Sequence, residues 1–236
     1  MYGVVIFLVS GWKFDQDVTK TFDSHVREHV PLYDEIHKLI SSTSQWFIED
    51  YTNVYDIGTS TGEFLKNIKR SSPNKLFNLI GIDSSKEMVE QAKVNMGKNN
   101  IDANIIEGDV LDDSFEIKNA SLVTSILTNQ FISIHKRKVL LNKVYRGLNK
   151  GSAYIIVEKI KGNNPFFNEM WIELYHEKKI ENGLNEKQVM DKSRAIRGIL
   201  KPLSLNENLK MLHQAGFKDT DVFFKWCNFV GIIAVK

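Results

Sequence analysis

The chain has 236 residues, 42% hydrophobic and 25% charged, enough to bury a substantial core and ordinary for a globular domain. Its 31 lysines and arginines nearly balance 29 aspartates and glutamates, so a net charge of +2 gives no overall field to attract nucleic acid or an anionic membrane. The lone cysteine, Cys227, excludes an internal disulfide and a cysteine-rich zinc site, and points to a reducing, cytoplasmic setting.

At the N-terminus, the apolar run Val4–Val9 is too short to span a bilayer, and no basic stretch precedes it as a secretory leader requires. It reads as a strand or a packed arm. Residues 15–48 read as helix, broken where Pro31 cannot continue the preceding turn. Strands and helices then alternate. "NVYDIG" is a strand and 61–70 a helix; "LFNLIGID" is a strand, and "SSKEMVEQAKVNMGK" a helix with a serine cap and acids in its first turn. "ANIIEGD" and "ASLVTSIL" are further strands. Residues 133–151 read as a helix ending near glycine, with Val139, Leu140, Val144 and Leu148 as its apolar stripe and Lys136, Arg137 and Lys138 on a solvated face. "SAYIIVEKI" is the fifth strand. Residues 164–182 and 185–200 read as two helices without a strand between them. A helix at 205–215 ends at Gly216, and "TDVFFKWCNFVGIIAVK" closes as a hairpin turning at Cys227 and Asn228.

Apolar strands alternating with amphipathic helices imply a parallel sheet covered on both faces, here with an antiparallel C-terminal pair. We expect one α/β domain over 1–236: a helical cap at 1–50, a core at 51–160, a helical insert at 161–203, and the last helix with the hairpin at 204–236.

The stretch "VYDIGTSTGEF" carries the chemistry. A dinucleotide fingerprint needs glycines spaced G-x-G-x-x-G; counting from Gly58, Ser60 and Glu63 stand in the second and third places. A P-loop needs lysine after its last glycine, and Glu63 follows Gly62. Neither a dinucleotide nor ATP fits. A nucleoside ligand without phosphates does. Asp56 at the end of the first strand suits an ammonium group, and Asp83 at the end of the second can accept both hydroxyls of a ribose. Asp109, after the third, can accept from an adenine amine while the Val110 N–H donates to the ring. S-adenosylmethionine is cationic and bears both a ribose and an adenine.

On these residues the chain resembles a class I S-adenosylmethionine-dependent methyltransferase, most closely the carboxy-S-adenosylmethionine synthase branch. The resemblance covers residues 13–236 and rests on "DIGTSTG", with serine at the middle of the motif, and on "FDSHVREHVPLYDEI", "EGDV", "NASLV", "NQF", "KVYRGLNKG" and "NF…IIAVK". It implies a Rossmann-like seven-stranded methyltransferase sheet and S-adenosyl-L-methionine as cofactor. It places Tyr33, Gly58, Thr59, Ser60, Asp83, Ser84, Asp109 and Val110 around the cofactor, with Gly62, Met88 and Ile126 in the same set and Tyr33 near the reacting methyl. It also implies a homodimer and a small-molecule acceptor.

Two positions depart from the branch. Ile126 stands where the synthases carry an asparagine, and Ser193 where they carry an arginine that pairs with the product's added carboxylate. Arg194 is one residue along, about 100° around a helix, and Arg197 lies one turn beyond it. Both are candidate catalytic residues. With the clamp displaced, the expected activity is methyl transfer to a small molecule, with poor use of prephenate as a carboxyl donor. Carboxy-S-adenosylmethionine synthesis is the alternative, and a non-catalytic S-adenosylmethionine-binding protein the third reading. Catalysis by positioning explains why no catalytic dyad stands out.

The remaining candidates have plainer readings. His25 and His29 are a helical turn apart without a third ligand, so an exposed or capping role is expected and no metal. Trp171, Tyr175 and His176 read as the stripe that docks the insert, and Cys227 as a packing residue.

Overall fold

The computed structural model describes residues 16–236; the expected N-terminal strand or arm lies outside them. Two helices, α1 (Gln16–His29) and α2 (Tyr33–Ser44), precede the sheet, and the break between them falls where Pro31 was expected to place it. The core alternates β1 (Asn53–Ile57), α3 (Glu63–Ser71), β2 (Asn78–Asp83), α4 (Lys86–Lys98), β3 (Asn104–Glu107), β4 (Ala120–Ile126), α5 (Ile134–Gly147) and β5 (Leu148–Lys159). The insert is α6 (Pro165–Glu181) and α7 (Glu186–Ala195). The chain then runs through α8 (Leu205–Ala215), β6 (Asp219–Trp226) and β7 (Phe229–Val235).

The strands form a seven-stranded sheet in the order β3-β2-β1-β4-β5-β7-β6. β1 to β5 pair in parallel, and β7 runs antiparallel between β5 and β6. Side chains alternate across the sheet into two cores. Val54, Leu122 and Ile155 pack with Ile36, Phe64, Leu65 and Val89 on one face; Tyr55, Val123, Tyr154 and Ile156 pack with Leu140, Val144, Leu212 and Phe217 on the other. Phe217, fully buried, meets Tyr145 edge-on at 5.1 Å.

Three expectations about α5 fail. The helix stops at Gly147, because Leu148 already pairs with Ala120 in the sheet. A side chain at Gly147 would meet the Ile117 carbonyl oxygen at 2.3 Å, so the helix end packs where only glycine fits. The buried stripe is Arg137, Leu140, Leu141 and Val144, while Val139 is exposed. These buried positions are three or four residues apart, and Val139 lies about 100° or more around the helix from each of them. Arg137 is therefore a core residue, not part of a solvated basic face. Its guanidinium lies 3.5 Å from Glu158 and donates to the carbonyls of Ile132 (3.1 Å) and Lys201 (2.5 Å). Burial pushes the Glu158 carboxyl up to about 7 despite the attraction of Arg137.

Cys227 sits half-buried at the tip of the terminal hairpin with φ 43°, a turn position rather than a packing one.

Candidate functional site

In this strand order the chain leaves β1 for β2 and β3 on one side and returns to β4 and β5 on the other. The crevice beyond the carboxyl ends of β1 and β4 is where such sheets bind ligands. The turn after β1 is built for close approach. Gly58 has φ 70°, and a side chain there would lie 2.3 Å from Thr128 Oγ1 in the loop after β4. The amides of Gly58 and Thr59 donate to the Ile82 carbonyl at 2.8 and 3.1 Å, locking this turn to the end of β2.

A cavity of about 580 Å³ opens there, a size suited to a nucleoside-sized ligand and its neighbour. Tyr33, Asp56, Gly58, Thr59, Ser60, Asp83, Ser84, Met88, Asp109, Val110 and Ile126 all line it. Gly62 does not. It caps α3 in the left-handed region at φ 82° with Met96 beneath it, so it shapes the turn from behind.

One end of the cavity is acidic. Asp83 accepts the Ser60 amide on one carboxylate oxygen and the Ser85 amide on the other, each at 2.9 Å. Burial raises its pKa against the hydrogen bonds from the Ser85, Ser60 and Ser84 amides. Asp56, 3% exposed, accepts a hydrogen bond from Thr124 at 2.7 Å, and burial pushes its carboxyl up to about 7. Asp109 is exposed in the turn after β3, where its carboxylate accepts the Leu111 amide at 2.9 Å. Tyr33 opens α2 beneath the Arg27 guanidinium, 5.4 Å from its ring centre. Burial raises its hydroxyl pKa far above the ordinary value, so it stays a protonated donor.

The other end is cationic, and the sequence reading did not foresee it. Lys159 ends β5, Lys179 lies on α6 and Lys192 on α7, and all three line the cavity. The ammonium groups of Lys159 and Lys179 sit 4.4 and 4.2 Å from the centre of the Tyr175 ring. Tyr175 packs on Phe229 at 5.2 Å and donates its hydroxyl to the His29 carbonyl at 2.7 Å, fastening α6 to α1 and the hairpin. It docks the insert as expected and also forms cavity wall. His25 and His29, expected to be exposed or capping, line the cavity too, because α6 and α7 cover that side of α1. Arg194 and Arg197 are exposed on the outer side of the insert and do not line the cavity; Arg194 lies 3.6 Å from Asp191. One signal for Lys159 was present in the sequence: a lysine at the carboxyl end of a parallel strand occupies the same edge as Asp56. Nothing comparable marked Lys179 or Lys192.

Comparison with known proteins agrees with this geometry. Residues 54–151 match a family model described as a methyltransferase domain. The chain is 48% identical to a carboxy-S-adenosyl-L-methionine synthase from Staphylococcus epidermidis, over 95% of this chain and 97% of the relative. It is 37% identical to one from Methylococcus capsulatus, over 94% and 93%. Among solved structures, a putative S-adenosyl-L-methionine-dependent methyltransferase from Methanococcus maripaludis superposes with a TM-score of 0.64 at 20% identity, covering 96% of this chain and 95% of that one. Human N-acetylserotonin methyltransferase in complex with SAM gives 0.62 at 17%, over 94% and 56%. At such identities the solved structures establish the fold alone.

Proposed function

Because the chain belongs to the carboxy-S-adenosyl-L-methionine synthase family, built on the S-adenosylmethionine-dependent methyltransferase fold, we propose that it makes carboxy-S-adenosylmethionine from S-adenosylmethionine and an acidic carboxyl donor. S-adenosylmethionine supplies a methyl carbon bonded to a sulfonium; the donor's bond to its carboxyl carbon breaks, the methyl carbon bonds to that carbon, and the proton the methyl loses leaves with the remainder of the donor. The observation that carries the reading is one cavity running from the acidic strand ends to Lys159, Lys179 and Lys192. The expectation of poor prephenate use rested on the missing arginine, since a buried carboxylate without a partner is costly. Three lysines supply partners that the aligned positions do not.

In this reading Asp83 holds the ribose, Asp109 and the Val110 amide meet the adenine, and Asp56 faces the ammonium. Tyr33 and Ile126 line the same cavity. A cytoplasmic, homodimeric enzyme belongs to the same proposal, supported by the single cysteine and by the resemblance. Among the described residues no helix is long and apolar enough to cross a membrane.

A second reading is methyl transfer to a small acidic acceptor, favoured by Ile126 and Ser193 in place of the synthases' asparagine and arginine. Mass spectrometry of the small molecule that co-purifies with the protein separates the two. A cofactor bearing an extra carboxylate is expected; S-adenosylhomocysteine, the by-product of methyl transfer, would favour the second reading.

Asp56 gives the reading a pH signature. Its folded pKa of about 7 is raised above the ordinary value, so below that pH the carboxyl is protonated and a cationic ligand must expel the proton. Affinity for S-adenosylmethionine is therefore expected to rise by up to about tenfold per pH unit from 5 to 7 and then level off. Calorimetry across that range should show the slope in the wild type and a flat profile in Asp56→Asn. Equal slopes in both would place the ammonium elsewhere.

A further inference from the structure

We propose that Lys143 is a positioning residue for base recognition: it reaches from α5 to hold the turn that carries Asp109 and Val110, and so sets a preference for a 6-aminopurine. The inference rests on the reading of Asp109 and Val110 as the adenine contacts, and it applies to carboxyl and methyl transfer alike.

The turn follows β3 and runs along the cavity, which Gly108, Asp109, Val110 and Leu111 line. Its own hydrogen bonds are short-range. The Asp109 carboxylate accepts the Leu111 amide at 2.9 Å, and the Asp109 carbonyl accepts the Asp112 amide at 2.9 Å. The Asp112 carbonyl accepts the Phe115 amide at 3.1 Å. Bonds of this kind fix the shape of a turn but not its place on the protein. Among the described residues, the hydrogen bonds that leave the stretch 109–115 all come from Lys143. Its Nζ donates to the Val110 carbonyl at 2.9 Å and to the Asp112 carbonyl at 2.6 Å.

The bond to Val110 bears on the ligand. The Val110 carbonyl and the Leu111 amide belong to one planar peptide group. Lys143 holds that group by its oxygen and the Asp109 carboxylate holds it by its nitrogen, so the ammonium fixes the plane that orients the carboxylate. A donor on the oxygen also strengthens the bond the amide makes on its other side. Val110, 8% exposed, packs its side chain into the core with Ile82 and Leu140, while Lys143 anchors its backbone. The helix can impose this position because it is itself seated. Gly147, one turn beyond Lys143 on the same face, packs against the Ile117 carbonyl at the far end of the same loop. Tyr145, between them in sequence, meets Phe217 edge-on. Lys143 also opens the stretch "KVYRGLNKG", which the rest of the site does not use.

The test reads base preference rather than affinity alone. Wild type, Lys143→Met, which keeps the aliphatic stem, and Lys143→Arg, which keeps a cationic donor, are titrated with S-adenosylhomocysteine and with S-inosylhomocysteine. The second ligand reverses both base contacts: an oxygen acceptor replaces the amine, and N1 carries a proton instead of a lone pair. The wild type is expected to prefer the adenosyl ligand by at least about tenfold, because a site built for one hydrogen-bonding pattern leaves its groups unpaired with the other. In Lys143→Met that preference should fall to about threefold or less, with S-inosylhomocysteine bound within about twofold of wild type. The unchanged inosyl affinity certifies the fold and the ribose contacts. Lys143→Arg should restore most of the preference. Equal losses of both ligands in Lys143→Met would mark a merely structural role, and full preference there would mark none; either overturns the proposal. Preference lost in Asp109→Ala but kept in Lys143→Met would sustain the adenine contacts and overturn Lys143 alone. A wild type that binds the two ligands equally would overturn the adenine contacts and this proposal with them.

Discussion

Replacing Asp83 with alanine should weaken S-adenosylmethionine binding by about 2–4 kcal/mol, a loss of at least tenfold in affinity. The reason is that one carboxylate does three jobs. It would accept the ribose hydroxyls in charge-assisted bonds, the stronger class of hydrogen bond. It also receives the Ser60 amide, which fixes the turn after β1, and the Ser85 amide at the start of α4. Ser85 in turn caps that helix by accepting the Met88 amide, so the alanine variant loosens cavity walls on both sides of the ligand. Asp83→Asn keeps one acceptor oxygen and should fall between the two. Calorimetry that gives Asp83→Ala the wild-type affinity would remove the ribose from β2 altogether.

The largest effect on stability is expected at Arg137. Arg137→Leu should destabilise the fold by about 3–5 kcal/mol, because it strands the buried Glu158 carboxylate and leaves two carbonyls unpaired. The sign of the pH dependence follows from Glu158. Its folded pKa, about 7, lies above the ordinary value, so the folded state holds a proton that the unfolded state releases sooner. The stability this costs is absent below the unfolded pKa and accumulates as pH rises toward 7. Without Arg137 the folded pKa climbs further and the penalty grows over a wider range. Urea denaturation should therefore find the variant's deficit larger at pH 8 than at pH 5, and Glu158→Gln should recover part of it at the higher pH. A deficit below about 0.5 kcal/mol, typical of exposed sites, would show that the pair is not buried in solution.

Arg137 also shows where sequence pattern stops being informative. Flanked by Lys136 and Lys138, it reads as part of a solvated basic face; its partner Glu158 belongs to β5, and no local period announces that meeting. The strands and the acidic end of the cavity were legible for the opposite reason. Asp56 and Asp83 end apolar runs, and the spacing of the glycines at 58 and 62 excluded a phosphate cradle without any long-range knowledge. Two of the three lysines at the cationic end lie on an insert whose aromatics and charges follow no clean helical stripe. Lys179 reads as one of many solvated lysines until α6 docks through Tyr175 on Phe229 and Lys179 lies over that ring. The arginine expected at the carboxylate was sought one residue from Ser193 along α7, at Arg194, which turns outward. Lys192, on the other side of Ser193, turns into the cavity.

The most direct measurement of the central claim is mass analysis of the cofactor after incubating the purified protein with S-adenosylmethionine and prephenate. The account predicts repeated turnover to a cofactor that has gained one carboxylate, with formation lost in Lys179→Met and retained in Arg194→Ala. Unmodified S-adenosylmethionine after prolonged incubation, from protein that binds it normally, would contradict the account and return the chain to methyl transfer.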